Sequence, residues 1–150
     1  MTQRTDVVFV PQVNLSEHLT AGQITQASLV GTPHFLFIFP HEARAFLENT
    51  PTNNRWKVSP AEMPGAIEQF LSEKLSLDKL EKELTTVLSR DKSQRRVFPV
   101  DQLEGFAIKV GFWIFGGMSI QLAGEERRVI NVPGTDARRR LHDFYASRLK

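Results

Sequence analysis

The stretch from Arg95 to Leu149 constrains the fold most, because it reads as strand, turn, strand, turn, strand and closing helix. Phe106, Ile108, Val110, Phe112 and Ile114 share one face of a period-two strand, and Ala107, Lys109, Gly111 and Trp113 the other. Alternation of aromatic and β-branched residues is a strand signal. Gly116-Gly117 permits a turn, since glycine takes positive φ without strain. Met118, Ile120 and Leu122 alternate with Ser119 and Gln121, which predicts a return strand with one wet face. Ala123-Gly124-Glu125 reads as the next turn, Arg127 to Val132 as the third strand, and Pro133-Gly134 as its stop.

A helix is expected next. Thr135 or Asp136 can cap its first turn. Ala137, Leu141, Phe144 or Tyr145, and Leu149 recur at helical spacing. Three short strands cannot bury that stripe alone, so the first half of the chain must supply more sheet.

In that half, Val7 to Val10 reads as an edge strand ended by Pro11. Ser16 to Leu19 makes one helical turn. Ile24 to Phe39 forms a hairpin about Gly31-Thr32-Pro33. His34 to Phe39 is almost wholly apolar, which predicts a strand buried on both faces and ended by Pro40. Trp56 to Val58 reads as a short strand. Ser59-Pro60-Ala61-Glu62 matches a capping box with proline at the first helical position, although Pro64-Gly65 shifts the expected helix start toward Pro64. Ile67, Phe70, Leu71 and Leu75 make one stripe. Ser76 reads as a break or a second cap, followed by the stripe Leu77, Leu80, Leu84, Val87 and Leu88. Arg90 to Arg96 is polar and basic and reads as a loop or a frayed helix end. Strands, helices, strands, helix is an α+β order with an antiparallel sheet.

Composition narrows function by exclusion. The 150 residues suit one domain, and the net charge of +2 gives no strong pull toward polyanions, so nucleic acid is not the expected partner. There is no cysteine, which removes disulfides and thiolate chemistry and fits a reducing, cytoplasmic setting. No signal peptide is visible, and the longest apolar runs fall short of the roughly 20 residues a membrane helix needs. His18, His34, His41 and His142 lack metal-ligand spacing, so no metal or cofactor is expected. No nucleophile elbow, P-loop or dinucleotide fingerprint occurs.

The segment Val97-Phe98-Pro99-Val100-Asp101-Gln102-Leu103-Glu104-Gly105-Phe106 enters the strand run with a hydrophobic-Pro-hydrophobic phrase, two or three polar residues, then Leu. With the strand–glycine turn–strand–polar turn–strand–helix that follows, it resembles bacterial pleckstrin-homology-like (PH-like, GRAM-like) domains over about a third of the chain. The usual Thr-x-x-Arg-Leu phrase after the first strands is missing. The resemblance implies a single PH-like domain, a bent antiparallel sheet or partly open barrel closed by the last helix, with residues 59–90 as a helical insertion. It also implies a non-catalytic module that binds lipids, peptides or proteins.

Three features carry the functional expectation. Trp113 and Phe115, beside the glycine turn, form an aromatic hairpin tip suited to a partner or membrane interface. Arg90, Lys92, Arg95 and Arg96 form a basic loop. Arg138 begins an arginine run that spreads over about 200° of helix and so makes no tight patch. Together they predict recognition of a protein partner or an anionic, peripheral membrane surface. The alternative is a self-assembly or protein-interaction module working through the 59–90 helical pair. A third reading is a small enzyme with a pocket near His41 and Glu42.

Overall fold

In the computed structural model, residues 4–15, 24–51, 54–111 and 117–149 are described. Their strands are β1 (Val8–Leu15), β2 (Thr25–Gly31), β3 (Phe35–Pro40), β4 (Val97–Pro99), β5 (Leu103–Ile108), β6 (Gly117–Leu122) and β7 (Arg128–Asn131). Their helices are the single turn α1 (Arg44–Leu47), then α2 (Met63–Leu71), α3 (Leu77–Leu88) and α4 (Thr135–Phe144). The chain is thus α+β, and all seven strands join one antiparallel sheet in the order β4-β3-β2-β1-β7-β6-β5.

The two edge strands are consecutive in the chain. Only a 3-10 turn, Val100–Gln102, separates β4 from β5. Six interstrand spacings would hold the edges of a flat sheet about 29 Å apart. Four Cα steps, from Pro99 to Leu103, span at most about 15 Å. The sheet therefore curls until its edges approach, without pairing. Its concave side holds one core, in which Leu36, Ile38 and Phe98 from one end meet Leu103, Phe106 and Ile120 from the other. Leu141 and Tyr145 close that core from α4.

A second core lies on the other side of β2 and β3. Val30, Phe37 and Phe39 pack there against Trp56, Ile67, Phe70, Leu80, Leu84 and Val87. This explains the apolar run in β3: Leu36 and Ile38 serve one core, Phe37 and Phe39 the other. The helical pair is part of this packing. Ser76 caps α3 by accepting from Lys79 N at 3.3 Å, and Ser59 N and Oγ both donate to Glu62 Oε1 ahead of α2, which begins at Met63. The stripe Leu80, Leu84, Val87, Leu88 is buried, while Asp78, Lys79, Lys82 and Thr86 face water.

Some expectations need correction. Val7 to Val10 is not an edge strand ended by Pro11: β1 continues to Leu15 and is flanked by β2 and β7. A bulge between Val10 and Val13 sets two residues, Pro11 and Gln12, against Ser28 alone. The bulge absorbs a proline that cannot donate to a ladder. It also resets the alternation, so that Val8, Val10, Val13 and Leu15 all enter the concave core. Trp56 to Val58 is not a strand: Trp56 ends a 3-10 turn, Asn54–Trp56, and is buried. Neither Thr135 nor Asp136 caps α4, which starts after Gly134 at φ 93° with no side-chain cap. Ser16 to Leu19 lies outside the described residues. Among those described, no helix is long and apolar enough to cross a membrane.

Candidate functional site

The basic loop, residues 90–96, joins α3 to β4. Its shape comes from Asp91. Asp91 Oδ1 accepts from Ser93 N at 3.0 Å and Ser93 Oγ at 2.6 Å, an Asx turn, and Oδ2 accepts from Arg96 Nε at 2.8 Å. Burial opposes ionisation of Asp91, but the Ser93 and Arg96 hydrogen bonds prevail and hold its carboxyl below the usual aspartate range. The Asp91–Arg96 side chains are only 6% and 5% exposed, so Arg96 is a buried member of the loop's own ion pair.

Arg95 is engaged as well. It pairs with Glu125 in the β6–β7 turn, Nη2 to Oε2 at 3.0 Å. From the same region Arg128 donates to Arg95 O at 2.6 Å and lies 5.3 Å over the Phe98 ring. These contacts tie the β4 side of the curled sheet to the β6–β7 turn, where the backbone leaves the sheet open. Lys92 is exposed and donates to Ser89 O at 3.2 Å. Arg90 is half-buried, and its Nε is shut from solvent with no hydrogen-bond partner among the described residues.

The other predicted site residues do not join this loop. Arg138 is buried on α4, where it donates to Val132 O at 2.8 Å, Gly111 O at 3.2 Å and Thr135 Oγ1 at 3.3 Å. Those bonds fasten α4 to the ends of β7 and of the β5–β6 hairpin. Gly117, at φ 94°, lies so close that a Cβ there would meet Arg138 Cδ at 2.8 Å. Arg138 is therefore a structural clasp. Trp113 and Phe115 lie outside the described residues. Their flanks, Gly111 and Gly117, are at the Ile108–Met118 end of the hairpin; Arg95 meets Glu125 beyond its Leu103–Leu122 end. The basic loop thus lies toward the opposite end of β5 and β6 from Gly111 and Gly117.

What the loop does form is one wall of a groove of about 580 Å³. Arg90, Lys92, Ser93 and Gln94 line it with Thr25, Pro40, Glu42 and Phe46. Three cations (Arg90, Lys92, Arg96) and two carboxylates (Glu42, Asp91) in the lining leave a balance of one positive charge. Pro40 and the half-buried Phe46 supply apolar surface. Sequence reading missed Pro40 and Phe46, because the groove combines three segments distant in the chain. Asp91-Lys92-Ser93 did carry a local signal, the Asx-turn spacing that orders the loop.

His41 is beside this groove in sequence but not in its lining. It is 5% exposed, and its Nε2 lies 3.0 Å from Ser28 Oγ. Ser28 Oγ donates to Pro11 O at 2.8 Å, which leaves it to accept from His41 Nε2–H. Burial, opposed by a hydrogen bond to the Pro11 carbonyl, pulls the His41 pKa below the ordinary histidine value of 6.5. His41 and Ser28 thereby brace the bulge in β1 from within the sheet. No known family, curated protein or solved structure matches the chain.

Proposed function

We propose that this chain is a PH-like, non-catalytic binding module that receives a segment of a protein partner in the groove beside residues 90–96. The PH-like reading draws support from seven antiparallel strands whose edges are consecutive in the chain, and from the last helix closing the concave core. The observation that carries the binding reading is the groove itself, where Arg90 and Lys92 border Pro40 and Phe46. A cytoplasmic setting fits the lack of cysteine. His41 braces a bulge instead of facing the groove, which speaks against acid–base chemistry by His41 with Glu42.

Charge decides between a protein partner and an anionic bilayer. An anionic leaflet attracts a protein by about 1 kcal/mol per nearby Lys or Arg. The groove's single net positive charge therefore supplies about 1 kcal/mol, too little to hold a protein on a membrane. The same charges in a concave site act at short range on a bound side chain. For self-assembly through the helical pair, the apolar stripe is already buried against β3, and the outward residues are polar.

The test is an NMR titration of isotope-labelled protein with acetylated, amidated dipeptides of acidic, basic and neutral composition. Amide shifts gathered on residues 90–96 and 42–46 are expected. Co-sedimentation with phosphatidylserine vesicles is run beside it, and no protein is expected in the pellet. Shifts scattered over the sheet, or none, end the groove reading.

A further inference from the structure

We infer that the groove's ligand is a carboxylate next to an aromatic side chain, the carboxylate on Arg90 and Lys92 and the ring on Pro40 and Phe46. This rests on the binding reading above and names its ligand class.

Four observations carry it. The first is an asymmetry among the loop's arginines. Arg95 and Arg96 each hold a carboxylate, from Glu125 and Asp91. Arg90 holds none among the described residues, and its Nε is buried without a partner. A half-buried guanidinium gains most from an anion that can take its fork of donors, and a carboxylate matches that fork. Lys92 stands two residues on, exposed in the same lining, and adds a second cation.

The second observation is that Asp91 does not fill this role itself. Its two oxygens already accept three hydrogen bonds, from Ser93 N, Ser93 Oγ and Arg96 Nε. Those bonds fix the loop before any ligand arrives, so little ordering is left to oppose binding. The third is the apolar floor. Phe46 belongs partly to the helical core and partly to the groove, beside Pro40. An aromatic ring set there gains area and edge or face contacts that an aliphatic group of similar size lacks.

The fourth selects among anions. Glu42 and Asp91 share the lining with the cations. The lining's balance of one positive charge is matched by a single carboxylate, while a dianionic phosphate leaves an excess negative charge and loses more hydration on entering, so the site is assigned to Asp, Glu or a chain terminus over a phosphorylated residue.

The experiment compares acetylated, amidated Asp-Phe, Asn-Phe and Asp-Ala, with inorganic phosphate and phosphatidylserine vesicles as further arms. Asp-Phe is expected to shift residues 90–94 and the Phe46 ring saturably. Asn-Phe should bind at least tenfold more weakly, Asp-Ala several-fold more weakly, and phosphate more weakly than Asp-Phe. Arg90→Gln should weaken Asp-Phe at least tenfold, Lys92→Gln about threefold, and Arg90→Lys by an amount between them. Unchanged amide shifts across the sheet confirm that each variant folds. Equal binding of Asn-Phe and Asp-Phe, or full binding by folded Arg90→Gln, overturns the carboxylate assignment. If Asn-Phe occupies the groove in preference, the ligand class is wrong and the binding reading stands; if phosphate or vesicles do, the protein-partner reading falls with it. If no arm perturbs the groove, both fail.

Discussion

The β2–β3 hairpin and the β5–β6–β7 meander belong to one sheet but solve different burial problems. Along β3, five of six residues are buried, with side chains entering both cores. Along β6 and β7 only one face is buried. Met118, Ile120, Leu122 and Ile130 point into the concave core, while Ser119, Gln121 and Val129 turn away. The helices inserted between β3 and β4 make this difference. Where they cover the sheet, its outer face is aromatic; where they do not, it carries Ser119, Gln121 and the half-exposed Val129. The candidate groove lies at the border of the covered half, where the chain leaves the insertion for β4. A loop there is held at both ends by rigid structure, which suits a binding site.

Removing the centre of the covered face should produce the largest effect. Trp56 is fully buried, with its ring centroid 4.9 Å from Phe39 and 5.2 Å from Phe70. Its Nε1 donates to Glu83 on α3 at 3.2 Å. Trp56→Ala should cost about 3–5 kcal/mol, read as a fall in the urea midpoint. A loss below about 1 kcal/mol would mean the helical pair is not integral to the sheet.

The next effect lies where the two layers meet. Tyr145, the residue just past α4, directs its hydroxyl at the carbonyls of Thr32 and Phe35, both at 2.9 Å, in the β2–β3 turn. Thr32 Oγ1 in turn donates to Glu81 on α3, and His34 Nδ1 lies 3.0 Å from the same carboxylate. One tight turn therefore holds helices from opposite faces. Burial chiefly, with the Glu81 charge, raises the Tyr145 pKa far above the ordinary tyrosine value, so the hydroxyl stays a donor. Gly31 is needed here, since any Cβ would collide with that hydroxyl. Tyr145→Phe keeps the ring and removes the bond, and should cost about 1–2 kcal/mol in the same measurement. Hydrogen exchange should then rise in α3 as well as α4. If only α4 loosens, the turn does not couple the two layers.

Much of this contrast was legible in the sequence. The unbroken Phe35-Leu36-Phe37-Ile38-Phe39 run announced two buried faces, and Met118-Ser119-Ile120-Gln121-Leu122 announced one. Ser76 announced its cap by local chemistry. What stayed hidden depends on partners far along the chain. The path of β1 through Pro11 rests on Ser28 and His41, and nothing near Pro11 signals either. The charges of the basic loop looked available. Arg95 is engaged by Glu125, thirty residues on, and Arg138 by carbonyls of other elements. The groove's apolar floor comes from another part of the chain, and no periodicity links it to Arg90.

Acidification should weaken the hairpin side before the meander. The His41 pKa lies below 6.5 in the folded state, so as pH falls the unfolded chain binds that proton first. The His41 contribution is whole above about 6.5 and is lost below it, at up to about 1.4 kcal/mol per pH unit. Urea midpoints at pH 7.5 and 5.5 measure the loss. A His41→Gln variant should show a smaller difference between the two pH values than the parent chain. Equal differences would mean that the native state accepts the proton freely, and that His41 does not brace the bulge.

The smallest effect is expected on the bare face. Val129 is 49% exposed although its neighbour Ile130 is buried, because successive residues of β7 face opposite sides of the sheet. Its partner across the ladder is Ser119, too small to cover it. Val129→Thr keeps the branched shape and the strand preference, and removes apolar surface that already touches water. The change in stability should stay within about 0.5 kcal/mol. Ile130→Thr, one residue along the same strand, places a hydroxyl among Leu15 and Met118 and should cost several times more. The ratio of these two costs measures how one-sided the meander is. A large loss at Val129 would mean that its outer face is covered in solution, and the division between the two halves of the sheet would then fall.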